Sequence, residues 1–590
     1  MGSEEEKEKK KKEKESKKES KKESKKESKK ESKKESKKES KKESKKENKK
    51  ENKKESKKES KKESKKEEKD KKKDRKEEVK EVTKEFLEKA NKGEKDEPKK
   101  EKVDEKDAKK VKDIIEIIKK GKGDAIAALG DLYDMVSAGK RAAVAKAFKH
   151  MVEFMLSKKY IENADFQAQS CAVFWAIAYN DVNGVFEKEA PKVIACMKKI
   201  LEKGHAKNNL VVKNVFGALA NLAVHNDSNK ASILAKDGAA FIWKSVVSNA
   251  EEKSKGGDAY EGKTPGKKDE TSMAIVELGL GLLKNLANQS ADKDKKEVKF
   301  EPSVIVPVKK IGKIVDIMLK HSDNAAIQRF CCGLLQNVSA TADGSYLEGF
   351  LEAAGQKAIL AAMLKHSGNV DVQHEACGAL CNLIGYAQDP ALSNPCILPV
   401  IKAMQEHADH AGIQAQACIT LSIIAQVHPK NQDDIVNADG LVAISMTMNS
   451  FEKDALCQSH ACGAVMNLAW DNVNVKTAIV ESGIVSSIVG AMNDFSDDIG
   501  VQREACGALT NLSQSTKELR NEMKQEGCME ALEAALKMHK NDETITFVGG
   551  AGLLMFTDEI DDDEDDDEDS TKKSTKDEEK DKKSKDKKSN

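Results

Sequence analysis

Aromatic side chains make up only 4% of these 590 residues, and tryptophan occurs three times. So little aromatic matter argues against a single globular enzyme, and a chain this long outgrows one compact core. Several domains or an array of repeats is expected instead. No apolar run approaches the roughly 18 residues that cross a bilayer. The 12 cysteines form no C-x-x-C pair, and most stand in apolar, Ala- and Gly-rich stretches, such as Cys377, Cys418, Cys462 and Cys506. That placement fits free thiols used as small hydrophobes in a reducing compartment, not disulfides or metal. The opening MGSEEEKEKK lacks a secretory apolar segment, and Glu6 occupies the place where a myristoylation pattern needs Ser or Thr. There is no P-loop, no H-E-x-x-H and no nucleophile elbow, and GKGDAIAALG at 121–130 lacks the third glycine of a dinucleotide loop. The expectation is an intracellular, non-catalytic monomer with no cofactor, metal or small-molecule substrate. It is placed in the cytoplasm, with the nucleus as the alternative.

What the chain does have is charge, at 35% of residues, distributed unevenly. Residues 1–110 carry 49 basic and 34 acidic side chains, a net of +15, whereas residues 557–590 carry 9 and 16, a net of −7. The intervening body is mildly acidic, at −6. From Ser16 to Glu67 the sequence is a near-perfect KKES tetrapeptide with no apolar residue. Such a segment buries nothing to offset backbone entropy. Its period of four also sets Lys over Lys and Glu over Glu, which opposes a solvated helix. Residues 1–78 are therefore expected to be a disordered basic arm. Residues 79–110 read as a charged linker with weak helix around Val82, Phe86 and Leu87, and 557–590 as a disordered acidic and lysine-rich tail.

Between the tails apolar residues recur every 3.6 positions, and one phrase returns. VQHEACGALCNL (372–383), VQREACGALTNL (501–512) and CQSHACGAVMNL (457–468) are the best copies. Weaker ones are IQRFCCGLLQNV (327–338), VKNVFGALANL (212–222), VELGLGLLKNL (276–286) and IQAQACITLSII (413–424). Degenerate copies at 167–178 and 546–556 bracket the set. Taking the cysteine place as reference, the copies fall at 171, 216, 280, 332, 377, 418, 462, 506 and 551. Most intervals lie between 41 and 45 residues, and two are stretched by polar inserts at 250–270 and 289–302. Before each phrase come a short helix, a glycine and a second helix, as in IVESGIVSSIVGAM (479–492) and VNADGLVAISMTM (436–448). A period in the forties made of three helices is a solenoid repeat.

The G-A-L-x-N-L phrase with its glycine corner resembles the armadillo-repeat proteins, closest in flavour to the β-catenin and plakoglobin group. The resemblance implies an all-α fold: a right-handed α-solenoid of about nine armadillo repeats over 166–556, preceded by capping helices at 111–165. It further implies that the third helix of each repeat lines a concave groove holding an extended peptide or partner helix. The asparagine that reaches into that groove in the family matches Asn221, Asn285, Asn337, Asn382, Asn467 and Asn511. The alternative is that these amides only bond neighbouring helices within the stack. Ala176, Ile423 and Phe556 occupy the place in the other repeats, so an interruption near Ile423 and closed ends are expected. The tryptophan that importin-α carries four residues before the asparagine is glycine here, at 217, 281, 333, 378, 463 and 507, which argues against a nuclear-import receptor. Eight residues before the asparagine stand Lys213, Arg329, His374 and Arg503, a partial basic ladder suited to an acidic partner or else plain rim charge. His321, His366 and His407 recur where second helices end, and Trp175, Trp243 and Trp470 read as core or ridge.

The KKES arm offers a second function of another class, a tether to polyanions. It resembles the lysine-glutamate repeats of microtubule-associated proteins that bind acidic tubulin tails, and any such contact is strongly salt-dependent. The cluster KKKDRK at 71–76 has the composition of a nuclear-import signal. Each of Ser16, Ser20, Ser24, Ser28, Ser32, Ser36, Ser40, Ser44, Ser56, Ser60 and Ser64 has Glu three residues on, which suits an acidophilic kinase of the casein kinase type. A phosphate adds about −1.5 to −2 charge and would reverse the sign of each unit. Mass spectrometry of the native protein is expected to find these serines phosphorylated, and unmodified serines would end the switch.

Overall fold

The computed structural model describes residues 103–121, 124–179, 188–224, 226–251, 267–288, 301–340 and 344–557. The KKES arm, most of the linker, the serines named above, the hearts of both inserts and the acidic tail lie outside these. Every described element is helical.

Local sequence decides where most of the long third helices start. An Asn, Asp or His side chain accepts the backbone N–H three residues on: Asn163 from Phe166, Asn208 from Val211, Asn324 from Ile327, Asn369 from Val372, His410 from Ile413, Asp454 from Cys457 and Asp498 from Val501, at 3.0–3.1 Å. These caps satisfy orphan donors of the first turn. The nine third helices are Ala164–Ala178, Asn209–Leu222, Lys267–Ala287, Ala325–Ser339, Val370–Ala387, Ala411–Val427, Ala455–Leu468, Ile499–Ser513 and Glu543–Thr557. Each packs on the next, and a first and a second helix flank them on the outer side, as in Val473–Glu481 and Ile484–Asp494 of the eighth repeat.

The glycine between first and second helix works in two ways. Gly483 and Gly527 hold positive φ (78° and 83°), where a β-carbon is strained. In LEAAGQ and VNADGL the positive φ falls one residue earlier, on Ala354 and Asp439. There the glycine is needed for space instead, since a Cβ on Gly440 would lie 2.6 Å from the Ile435 carbonyl oxygen.

Several boundaries differ from expectation. The first described helix begins at Glu105, where Asp104 accepts from the Lys106 N–H, so the end of the linker is helical. Ala125–Ser137 packs against Ala164–Ala178 as third helices pack on one another, and Arg141–Ala145 and Phe148–Met155 complete the first repeat. The region 111–165 is thus a partial repeat plus the outer helices of the first whole one. The insert at 250–270 is helical at both edges (to Glu251 and from Lys267), and Pro302–Ile305 is already the first helix of repeat four. Closed ends are expected from the sequence, whereas among the described residues nothing covers one face of the last helix. Phe556 is buried, whereas Phe547 and Leu554 are 80% and 60% exposed on the opposite face of the last helix, with no further rung among the described residues.

Apolar stripes alone do not set the register. A buried glutamine in the first turn of each good third helix donates through Nε2 to two carbonyls at the end of its own second helix. Gln328 bonds Met318 and His321, Gln373 bonds Met363 and His366, Gln414 bonds Met404 and His407, Gln458 bonds Met448 and Phe451, and Gln502 bonds Met492 and Phe495, all at 2.8–3.0 Å. Helices leave their last carbonyls unpaired, and the glutamine satisfies two of them inside the core. The recurrent histidines act between repeats: Nε2–H of His366 donates to Ser322 O (2.8 Å), and that of His407 to Ser367 O (2.7 Å). The same link joins His539 to Ser496 O at 2.7 Å. The 12 cysteines are all free and buried, and burial raises the thiols of Cys377, Cys418 and Cys506 to about 12. Among the described residues no cluster of three metal-ligating side chains occurs, and no single helix is long and apolar enough to cross a membrane. Replacing Gln458 by Leu is expected to lower unfolding free energy by about 2 kcal/mol, because two buried carbonyls lose their donor. Urea unfolding checks this, and a loss below about 0.5 kcal/mol, the size of a neutral surface change, would refute the role.

Candidate functional site

The nine third helices form one wall, and the six asparagines lie along it in strict register. Asn221 donates through Nδ2 to Trp175 O (3.5 Å), Asn285 to Ala220 O (2.9 Å) and Asn337 to Lys284 O (3.0 Å). Asn382 donates to Gln336 O (3.0 Å), Asn467 to Ser422 O (3.2 Å) and Asn511 to Met466 O (2.8 Å). In every case the acceptor is the carbonyl just before the equivalent place in the preceding repeat. The amides therefore stitch rung to rung. Asn382 and Asn467 spend a second N–H on Ser339 Oγ and Ser422 Oγ. None of the six side-chain oxygens accepts a hydrogen bond within the described residues. Five of the side chains are half-buried and Asn511 is buried.

At Ile423 the row of amides is interrupted but the stack is not. Isoleucine cannot donate, so Thr420 Oγ1 makes the link to the fifth repeat, through Cys377 O at 3.2 Å. On the other side Asn467 still reaches Ser422.

The glycines four residues before the asparagines carry the neighbours' side chains. A Cβ on Gly217 would meet the Trp175 ring at 2.4 Å, one on Gly378 the Gln336 amide at 2.1 Å, and one on Gly507 Met466 Sδ at 2.3 Å. Side chains from adjacent rungs thus lie across the glycine and form the floor of the wall. Trp175 belongs to that floor. Trp243 is core, its Nε1–H donating to Ile305 O at 2.8 Å, and Trp470 is 64% exposed beyond the seventh third helix.

The basic ladder is not a row of free cations. Arg329 pairs with Asp371 at 2.9 Å and Arg503 with Asp542 at 2.6 Å, in both cases a carboxylate one repeat further on. Burial, the main cause, lowers the pKa of His374 and favours its neutral form, with His410 beside it. Of the four, Lys213 and His374 show no ion pair among the described residues. The sequence pointed to basic residue types at one spacing, but the compensating acids lie in the next repeat, outside the phrase that was compared. The buried glutamines stand in that phrase too, but a polar residue in a helix's first turn reads as solvated.

Helices stacked without strands, flanked by outer pairs and sewn through an inner row of amides, define an α-solenoid. A family model described as the LRRK2 ARM repeat matches residues 393–589. An engineered protein of known crystal structure is 19% identical with a TM-score of 0.55, covering 76% of this chain and 99% of its own. At that identity the likeness concerns the fold alone. A designed armadillo repeat protein solved in complex with the peptide (KR)4 is 18% identical and covers 42% of this chain and 99% of its own, at a TM-score of 0.36. Among curated proteins none matches. Residues 393–589 are thus similar to armadillo-type repeats, and the fold of the described residues is an α-solenoid.

Since Asn382 holds the fifth rung to the fourth through a donated hydrogen, Asn382→Asp is expected to destabilise the stack more than Asn382→Ala. The aspartate sets a charged acceptor against a carbonyl, whereas alanine loses about 1 kcal/mol per bond. Thermal unfolding of the two variants decides, and equal losses would mean that the amide link carries little.

Proposed function

We propose that the wall of third helices binds an extended segment of a partner protein, held through the asparagine amides as a non-catalytic scaffold. One observation carries this reading: six amides in one register each give a hydrogen to the neighbouring rung and, among the described residues, keep a side-chain oxygen unpartnered. A carboxamide has two donors and an oxygen with two lone pairs. Bonding within the stack therefore fixes the amide's orientation without exhausting it, and the free oxygen is the acceptor that the backbone N–H of an extended peptide requires. A fixed side chain also loses less conformational entropy when it binds. Stacked helix axes are about 8–10 Å apart and an extended chain rises about 3.3 Å per residue. Successive rungs would then meet the peptide every two or three residues. Each bond contributes about 1 kcal/mol net, so affinity requires the row acting together. The paired state of Arg329 and Arg503 removes the main support for an acidic partner. The tether reading rests on residues 16–67, which lie outside the described residues.

Partners captured by the full-length protein from native lysate, identified by mass spectrometry, test the reading. Changing Asn382, Asn467 and Asn511 together to alanine is expected to remove the specific prey while the helical circular dichroism persists. Prey retained by that folded triple variant would move the binding surface off this wall.

A further inference from the structure

The last described helix, Glu543–Thr557, has no polar face. From Phe547 to Phe556 it carries no polar side chain, and a helix that is apolar all round is one that is covered all round. Only one side of it is covered. Asp498 and Asp542 each accept the backbone N–H three residues on, and counting from these caps aligns the eighth third helix with the ninth. The caps put Met555, not Phe556, at the asparagine place of the ninth. In the eighth, Arg503, Cys506 and Thr510 face the following rung. Arg503 pairs with Asp542, Thr510 Oγ1 donates to Val548 O at 3.0 Å, and Cys506 Sγ lies 3.4 Å from where a Cβ on Gly549 would stand. Phe547, Gly550 and Leu554 hold the corresponding places in the ninth. They form the face on which a further rung would sit, and Phe547 and Leu554 are exposed there.

The other end of the stack is finished differently. Glu105–Lys120 packs on Ala125–Ser137 with Val111, Ile114 and Ile118 buried, and its Lys109, Lys112, Glu116 and Lys119 are exposed. A terminal unit with a polar outer face is what keeps a solenoid soluble and apart from its copies. The ninth rung has no such face. The charged end also offers no apolar counterpart, so a head-to-tail contact between copies has little to bury. Residues 558–590 carry one apolar side chain, Ile560, and hold no stripe that would cover Phe547 and Leu554.

The exposed pattern is its own complement. Phe547 and Leu554 stand evenly on either side of the Gly550–Ala551 pair, about 10 Å apart along the helix. Gly550 and Ala551 floor a hollow between them, rimmed by Lys540, Asn541 and Glu543, and a Cβ on Gly550 would meet nothing within 4 Å. We propose that this face binds the same face of a second copy, the two Glu543–Thr557 helices crossing antiparallel about a twofold axis at Gly550–Ala551. Phe547 of each copy then lies against Leu554 of the other, and the small residues let the backbones approach. An apolar centre with a polar rim is the anatomy of a protein–protein contact. The pair replaces the monomer expected from the sequence. It uses the end of the stack, so the asparagine row stays free, and it does not depend on the groove reading.

Sedimentation velocity of the full-length protein from about 0.1 to 50 µM, the range of moderate self-affinity, is expected to show a monomer–dimer equilibrium. A mass of one chain throughout, or polymers that keep growing, would overturn the proposal. Phe547→Lys should weaken the dimer about a hundredfold, because two rings are withdrawn, and Leu554→Glu should do the same, with circular dichroism checking that the helices persist. A dimer untouched by both changes would place the contact elsewhere. The double variant Phe547→Lys/Leu554→Glu should regain much of the dimer at low salt, since an antiparallel pair sets unlike charges opposite each other. No recovery rejects that register. Ala551→Cys gives a readout that does not rely on weakening. The native cysteines are all buried, so mild oxidation should join two chains through residue 551. Leu364→Cys, exposed on a second helix, should stay unlinked, and absence of the 551 cross-link would reject the axis.

Discussion

A helix end buried in a stack leaves carbonyls that water cannot reach, and this solenoid is arranged around satisfying them. One three-helix unit cannot bury its own apolar stripe, so repeats share a continuous core. That core supplies most of the driving force but little information about register, because Leu, Ile and Ala contacts tolerate small slips. Unpaired buried carbonyls do not, since each costs about 1–3 kcal/mol. Gln328, Gln373, Gln414, Gln458 and Gln502 close the second helix within a repeat, and His366, His407 and His539 close it against the neighbour. The asparagines fix the third helices to one another. Three side-chain types, each at a constant position, turn a greasy pile into an indexed one.

This division explains why the inner row is asparagine and not a better helix former. Asn is mildly unfavourable inside helices because its side chain competes for backbone bonds. Here that tendency is directed outward, to a carbonyl of the next helix. Serine is too short to span the gap unaided, and glutamine's extra torsion would leave the amide unfixed. Where Ile423 replaces it, Thr420 takes over the link, so the stack survives while the outward oxygen is lost. Cohesion and the capacity to bind are thus separable at that rung.

Much of the fold is legible in the sequence because a solenoid repeats its local rules. The phrase ending in Asn-Leu, the Asx or His caps and the glycine corner recur often enough to reveal a period in the forties, and every described third helix falls where the period puts it. The ends are harder, because a terminal unit lacks one neighbour and its sequence relaxes. Ala125–Ser137 forms a rung without the phrase, and Phe547 and Leu554 are left outside. The direction of each asparagine was also beyond pattern reading. Spacing places Asn382 on the inner face, but the partner that decides its role, Gln336 O, is 46 residues away. The same blindness made Arg329 and Arg503 look free, since Asp371 and Asp542 are visible only once the repeats are stacked.

The floor of side chains over the glycines carries this lesson into specificity. If each repeat recognised ligand by its own residues, exchanging one repeat would exchange one subsite. Here the floor over Gly333 combines Lys284 of the third repeat with Glu375 of the fifth, so the charge presented by the fourth is set by neighbours on both sides. A substitution just before an asparagine place therefore acts two repeats away, without altering the glycine between. Gly217, Gly378 and Gly507 follow the same geometry with Trp175, Gln336 and Met466 lying over them, which gives aromatic, amide and thioether floors from one backbone. The glycine column that argues against tryptophan slots for lysine is thus what allows the floor chemistry to vary, because a β-carbon at any of these places would push the neighbour's side chain out of the wall.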